Sequence, residues 1–210
     1  GHNVTIYEKT DRLGGVFIPA GAMSFKSQDR KLLDWYRRQI DKLNIEVKYN
    51  TEITDISKLD ADEIVIATGA VAKKLNIKGI ENAIEAIDFL NKTKLVGENV
   101  AIIGGGLTGC EIAYELSLNK KKPIIIEAKQ DLMAVRGLCL ANSSYLRDYF
   151  KHNNVPVYLQ SSVKEITQNS IVIVDKDGVE HTEQIDNVIS CVGYNPNPIA
   201  KAGKHIHIVG

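Results

Sequence analysis

Cysteine is scarce in this chain: 210 residues hold three, Cys110, Cys139 and Cys191, with no C-x-x-C pair among them. That spacing offers no zinc-like pattern and argues against a dithiol–disulfide redox centre within the chain, and it fits a reducing compartment. Aromatic residues make up only 6%, and neither charge is in excess, with 26 basic residues against 26 acidic ones. A balanced chain lacks the basic footprint that nucleic acid or an anionic membrane surface requires. No apolar run approaches the length of a bilayer span and no signal-peptide pattern opens the chain, so the expected location is cytoplasmic. His152, His181, His205 and His207 lack a third ligand at metal spacing, and no metal site is expected. An initiating Met is missing as well. The chain opens with Gly1-His-Asn-Val-Thr-Ile-Tyr-Glu8, which reads as a strand ending in an acid. A dinucleotide fold places a first strand and a glycine loop before such an element. None precedes Glu8, so the sequence is expected to be a piece of a longer polypeptide.

What is present is more specific. Hydrophobic residues at 44% and charged residues at 25% describe an ordinary globular chain. Within it, the apolar run Val100–Ile103 meets Gly104-x-Gly106-x-x-Gly109, a helix-like segment follows, and a second apolar run ends in Glu127. Strand, glycines, helix, strand and terminal acid in that order carry far more information than the glycines alone. Gly104 permits the tight turn, Gly106 lets the backbone approach a pyrophosphate, and Gly109 lets helix and strand pack closely. Leu107 and Thr108 open the helix, where unpaired N–H groups and the dipole favour a phosphate. Glu127 can take both hydroxyls of an adenosine ribose and would repel a 2′-phosphate. Lys129 places one cation nearby, as a 2′-phosphate would require, but the acid outweighs it and NADH is favoured over NADPH.

A helix is expected over Ser27–Leu43, where Leu32, Leu33, Tyr36, Ile40 and Leu43 repeat at helical spacing, with Arg37 and Arg38 on a solvated face. Ile45–Tyr49 and Thr51–Ile56 read as extended, and Glu63–Gly69 as a buried strand ending in small residues. Ala83–Leu90 reads as a helix, and so does Ala141–His152, with Asn142, Ser143 and Ser144 as N-cap candidates. Four short extended runs follow: Val155–Leu159, Ser162–Thr167, Ser170–Asp175 and Val179–Gln184, the last two joined by the hairpin signal Asp177-Gly178. Asn187–Gly193 repeats the apolar-run-then-glycine form, and His205–Gly210 reads as a last strand. The Lys120-Lys121-Lys122 run reads as a solvated helix end, and Cys110 as a small packing residue. The repetition predicts a nested α/β plan. A Rossmann-like NAD(P)-binding domain over 72–185 is inserted into a truncated Rossmann-like FAD-binding domain formed by 1–71 and 186–210.

Glu8 with Leu-Gly-Gly15, Ala-Thr-Gly69, the Gly104 loop with Glu127, and Gly-Tyr-Asn-Pro-Asn197 together resemble the two-dinucleotide-domain flavoprotein reductases. More narrowly, Gly-Leu-Thr-Gly-Cys-Glu-Ile-Ala-Tyr-Glu115 and Gly-Leu-Cys-Leu-Ala-Asn-Ser-Ser144 resemble the C-terminal module of the NADH:flavin oxidoreductase group. That group includes 2-enoate reductase, 2,4-dienoyl-CoA reductase and trimethylamine dehydrogenase. The resemblance implies that Glu8 holds the adenosine ribose of FAD and that Gly14 and Gly15 lie against its pyrophosphate. It also implies that Thr68, Gly69 and Gly193 line the crossovers beside the flavin domain. Glu111 is open between a place near the nicotinamide amide and a plain complement to the helix dipole. The chain departs from the family at Val16, where Gln commonly supplies a polar contact.

The implied activity is that of an oxidoreductase. NADH passes hydride to FAD, and electrons continue through an iron–sulfur cluster to FMN in an N-terminal barrel, where an enoate-type substrate is reduced. The cofactors carry that chemistry, so no catalytic acid or base is expected in this chain, and the piece alone is expected to turn over little. A weakened or empty flavin site is expected too, and the oligomeric state is left open. Two alternatives stand beside this reading: an NAD(P)H-binding electron-entry module of another flavoprotein reductase, and a non-catalytic nucleotide-binding module.

Overall fold

The computed structural model describes residues 1–209. The chain divides into two units, Gly1–Val71 with Tyr194–Gly210, and Ala72–Gly193. In chain order the elements are β1 (Thr5–Tyr7), α1 (Phe17–Ala20), α2 (Ser27–Lys42), β2 (Glu46–Lys48), β3 (Ile64–Ile66) and β4 (Ala70–Ala72). Next come β5 (Ala83–Glu85), α3 (Ala86–Leu90), β6 (Asn99–Ile103), α4 (Leu107–Leu118), β7 (Lys122–Ile126) and α5 (Leu140–His152). The rest are β8 (Val157–Tyr158), β9 (Ser162–Ile166), β10 (Ser170–Val174), β11 (Glu180–Gln184), β12 (Asn187–Ser190), β13 (Tyr194–Pro196) and β14 (Ile206–Ile208).

The second unit is built on a parallel sheet of order β5-β12-β6-β7-β8. Its central strands are unbroken apolar runs because both faces are covered. On one face Ala101, Ile103, Ile124 and Ile126 pack with Val163, Ile166, Ile171 and Ile173 of the antiparallel sheet β11-β10-β9. Val100, Ile102 and Ile125 alternate to the other face and are fully buried. There α4 lies against β6 and β7, burying Ile112, Ala113 and Leu116. The β10–β11 hairpin turns at Asp177-Gly178, where the Asp175 carboxylate accepts from the N–H groups of Asp177 and Val179, both at 2.9 Å.

The first unit pairs β1 with β2 and β3 with β14, each pair parallel, while β4 pairs with β13. Glu63 closes the β3–β14 edge, bonding His205 Nδ1 at 2.9 Å and His207 Nε2 at 2.8 Å. Those bonds, His205 first, hold its carboxyl below the ordinary range. Helix α2 turns Arg30, Leu33 and Arg37 towards the segment before it. Arg37 bonds the Leu13 carbonyl through Nε and Nη2 at 3.0 and 2.7 Å, and Arg30 bonds those of Gly21 and Met23. Arg37 is therefore a clamp on the turn that follows Glu8, not part of a solvated face.

Several expectations need correction. Residues 186–193, expected with the first unit, belong to the second, because β12 pairs with both β6 and β5. Ala83–Leu90 is split: Ala83–Glu85 pairs with β12 as β5, and only Ala86–Leu90 is helical. Thr51–Ile56 forms no strand, since the Asp55 carboxylate accepts from Ser57 N–H at 3.0 Å and starts a tight helical turn at Ile56–Lys58. Cys139 occupies the N-cap of α5 with no side-chain bond, and the Ser143 hydroxyl bonds the Leu140 carbonyl instead. In the lysine run, Lys121 Nζ bonds the carbonyls of Val96 and Gly97, and Lys122 opens β7 and pairs with Glu98 at 2.7 Å. Gly210, the expected end of the last strand, lies outside the described residues.

Candidate dinucleotide site

In the second unit the chain runs from β6 through α4 to β7 on one side and returns through β12 on the other, so β6 and β12 flank a topological switch point. Ligands of open parallel sheets bind outside the carboxyl ends of the strands at such a point. Gly104, Gly106, Leu107, Thr108 and Gly109 follow the end of β6, and Gly193 follows that of β12. The two ends are joined, Cys191 N–H bonding the Ile103 carbonyl at 2.7 Å.

The glycines here have different reasons. A Cβ on Gly109 would lie 2.0 Å from the Gly104 carbonyl oxygen, so only glycine lets α4 approach the strand end this closely. A Cβ on Gly106 would meet nothing within 4 Å. Gly106 is the N-cap of α4, and Cys110 N–H is the first to bond back, to the Gly106 carbonyl at 3.0 Å. The donors before it, on Leu107, Thr108 and Gly109, have no partner within the helix. An open space facing helix-end N–H groups fits a phosphate in size and sign.

Glu127 sits directly after β7, and its carboxylate joins this loop. Oε2 accepts from Gly105 N–H at 2.6 Å and Oε1 from Lys129 N–H at 2.8 Å. Glu111 is half-buried on α4. Cys110 is fully buried, and that burial pushes its thiol up to about 12, so it packs as a neutral side chain.

In the first unit the Glu8 carboxylate follows β1 and accepts through Oε1 from both the N–H and the hydroxyl of Thr10, each at 2.8 Å. A Cβ on Gly14 would press on Ile18 and Leu33, while one on Gly15 would meet nothing within 4 Å. Glu8 and Gly15 thus offer a strand-end acid and an open backbone, which suit the ribose and phosphate of a second dinucleotide. Val16 is exposed and gives no side-chain cap to α1. Thr68 and Gly69 grip the returning chain: the Thr68 hydroxyl bonds the Asn197 carbonyl at 2.8 Å, and Asn197 N–H bonds that of Gly69 at 3.0 Å. An open cleft of about 450 Å³, lined by polar and apolar residues alike, among them Ser117, Lys121, Ile124 and Val155, lies at the opposite, amino-terminal end of β6 and β7.

Sequence reasoning overlooked Asp186, whose Oδ2 accepts from the N–H groups of Glu98 and Asn99, both at 2.8 Å, and so fixes the start of β6. It also overlooked Asp131–Met133 and Arg147, which buttress the glycine loop. Their signal was an acid and an arginine 16 residues apart, a distance no local motif reports. Among the described residues no cluster of His, Cys, Asp or Glu could hold a metal, and no helix is long and apolar enough to cross a membrane.

Sheet order, glycine loop and strand-end acid define a Rossmann-like α/β nucleotide-binding fold. Residues 1–208 match the model of the pyridine nucleotide-disulphide oxidoreductases, and the chain belongs to that family. Its three cysteines are free. It is 38% identical over 197 residues to cinnamate reductase of Clostridium sporogenes, covering 92% of this chain and 30% of that protein. It is 28% identical over 204 residues to NADH oxidase of Thermoanaerobacter brockii, covering 93% and 31%. Among solved structures, a 2-naphthoyl-CoA reductase complex matches all of this chain and 33% of its own, with a TM-score of 0.87 and 26% identity. The chain thus spans about a third of the length of these relatives. Thioredoxin reductase of T. acidophilum shares the fold, with a TM-score of 0.77 at 18% identity.

Proposed function

We propose that this chain is the nucleotide-binding module of an NADH-dependent flavoprotein reductase whose organic substrate is an enoate or a related conjugated acyl compound. The observation that carries the reading is the open space over Gly106 at the switch point, beside a carboxylate already held at the end of β7. The N–H groups of Gly106, Leu107 and Thr108 take the pyrophosphate of the nicotinamide dinucleotide, and Glu127 takes the hydroxyls of its adenosine ribose. In this reading Glu111, near the start of α4, stands beside the nicotinamide amide. In the first unit Glu8, Gly14 and Gly15 receive the adenosine and pyrophosphate of FAD, with Thr68 and Gly69 at its crossover; Gly193, the last residue of the second unit, lies at the other crossover. When bound, the nicotinamide supplies a hydride and the flavin accepts it. The residues of this chain bind and orient; none acts as acid or base.

The substrate class rests on relatives: cinnamate and 2-naphthoyl-CoA each place a carbonyl in conjugation with a carbon–carbon π bond. An FMN-bearing barrel and an iron–sulfur cluster, which would carry electrons to that substrate, belong to the rest of such a protein. A second reading, an electron-entry module serving another acceptor, is favoured by the similarity to NADH oxidase.

Fluorescence titration of the chain with NADH and NADPH tests the proposal. NADH is expected to bind more tightly, and Glu127→Ala to weaken it. Tighter NADPH binding would overturn the cofactor assignment, and binding of neither would overturn the site.

A further inference from the structure

The peptide joining Gly105 to Gly106 is gripped from outside the glycine loop. Its carbonyl oxygen accepts from Met133 N–H at 2.7 Å, and the Cys110 thiol lies 3.4 Å from the same oxygen. In a trans peptide the C=O and N–H point in opposite directions. Drawing the Gly105 oxygen towards Met133 therefore turns the Gly106 N–H the other way. The preceding N–H, that of Gly105, is itself held by Glu127. The loop's donors are thus aimed before any ligand arrives.

Met133 does not hold that place unaided. Its φ is +53°, in the left-handed region that a side chain enters only when its surroundings require it. Arg147 on α5 supplies the constraint. Its Nε bonds Asp131 Oδ1 at 3.1 Å, its Nη2 lies 3.0 Å from Asp131 Oδ2, and the same Nη2 bonds the Leu132 carbonyl. Leu132, thereby fixed, closes over the loop: a Cβ on Gly105 would lie 2.5 Å from its Cδ2. Leu132 and Met133 are both buried.

We infer that Arg147 is a positioning residue for the pyrophosphate of the bound dinucleotide. Acting through Asp131, Leu132 and Met133, it fixes the direction of the Gly106 N–H. The inference rests on the reading of Gly104–Gly109 as the dinucleotide site. Among the described residues the hydrogen bonds of Arg147 run to Asp131 and Leu132, so it reaches the loop backbone through this relay. Without the guanidinium, Met133 relaxes out of the left-handed region and the Gly105 carbonyl loses its donor. The peptide is then free to turn its oxygen, instead of its N–H, towards the phosphate. Ribose and adenine, which meet Glu127 and its neighbours, are indifferent to that flip.

The test compares ADP with adenosine on the full 210-residue chain. Affinities are measured by NMR titration of the wild type, Arg147→Met and Arg147→Lys. Arg147→Met is expected to weaken ADP and NADH about ten-fold, the worth of one charge-assisted hydrogen bond, and to leave adenosine within about two-fold. Arg147→Lys keeps a charge beside Asp131 but cannot fork to two acceptors, so its ADP-to-adenosine ratio falls between the others. If Arg147→Met does not fold, the lysine variant supplies the ratio. Unchanged ADP affinity in the variants, or ADP and adenosine weakened by one common factor, overturns the inference. A wild-type chain that binds neither ligand overturns the dinucleotide reading and this inference together.

Discussion

Alanine at two glycines of one loop separates folding from binding. At Gly109 the added Cβ would stand 2.0 Å from the Gly104 carbonyl oxygen, whereas ordinary contacts begin at 3.4 Å. Helix α4 or the strand end must move by more than an ångström, roughly the overpacking that costs about 1–3 kcal/mol. For a chain of this size that lowers Tm by about 2–12 °C. At Gly106 the Cβ meets nothing, and φ −69°, ψ −178° is backbone that alanine adopts freely. Only the N-cap preference is lost, about 0.5–1 kcal/mol, or about 1–4 °C. The same methyl group fills the space assigned to the pyrophosphate. Displacing the phosphate by one or two charge-assisted hydrogen bonds, each about 1.5–3 kcal/mol, weakens NADH by at least about ten-fold. Thermal unfolding and isothermal titration of the two variants are the assays. Gly109→Ala should lose stability and affinity together, and Gly106→Ala mainly affinity. A folded Gly106→Ala chain that binds NADH as the wild type does would refute the placement of the pyrophosphate.

Two further outcomes follow from burial. Iodoacetamide should alkylate the exposed Cys139 of the folded chain well before Cys110, whose burial pushes its thiol up to about 12; labelling of Cys110 at a comparable rate, read by peptide mass spectrometry, would contradict the packing described. In native-state hydrogen exchange the amides of β6 and β7 should be the slowest, and those of α2, which buries no residue, should exchange well before them; equal protection would show that the first unit is stabilised by contacts not described above.

The second unit was the more legible because its signals are local and repeat one another. Val100–Ile103, the glycines, the α4 face and Ile124–Glu127 lie within one stretch, and each predicts the next. The hairpin at Asp177-Gly178 was legible for the same reason. What escaped depended on partners distant in sequence. Whether Asn187–Ser190 joins the first or the second sheet is decided by its pairing with β6, and no pattern within the segment reveals that. Ala83–Glu85 looked helical alone and is extended because β12 offers it an edge. Arg37 read as part of a solvated helix face, and Arg147 carried no signal of its own. Their guanidinium groups instead satisfy backbone carbonyls at Leu13 and Leu132, carbonyls left over because irregular loops cannot bond to themselves.

Glu8 and Glu127 are alike in sequence, each an acid directly after an apolar strand, yet the fold uses them differently. Glu8 is hooked through one oxygen to Thr10, two residues on, so its orientation follows that turn. Glu127 bonds with one oxygen to the glycine loop and with the other to Lys129. A carboxylate has about four lone-pair positions, so two such bonds leave room for ribose hydroxyls while fixing where those hydroxyls must come. A side chain already fixed loses little freedom on binding, which favours the ligand that fits it. The same bonds sharpen rejection. A 2′-phosphate would repel the carboxylate, and the carboxylate could withdraw only by releasing Gly105 N–H at the root of the loop. Binding NADPH would then weaken the loop that has to hold its pyrophosphate, so the proposed preference for NADH would not rest on Coulomb repulsion alone.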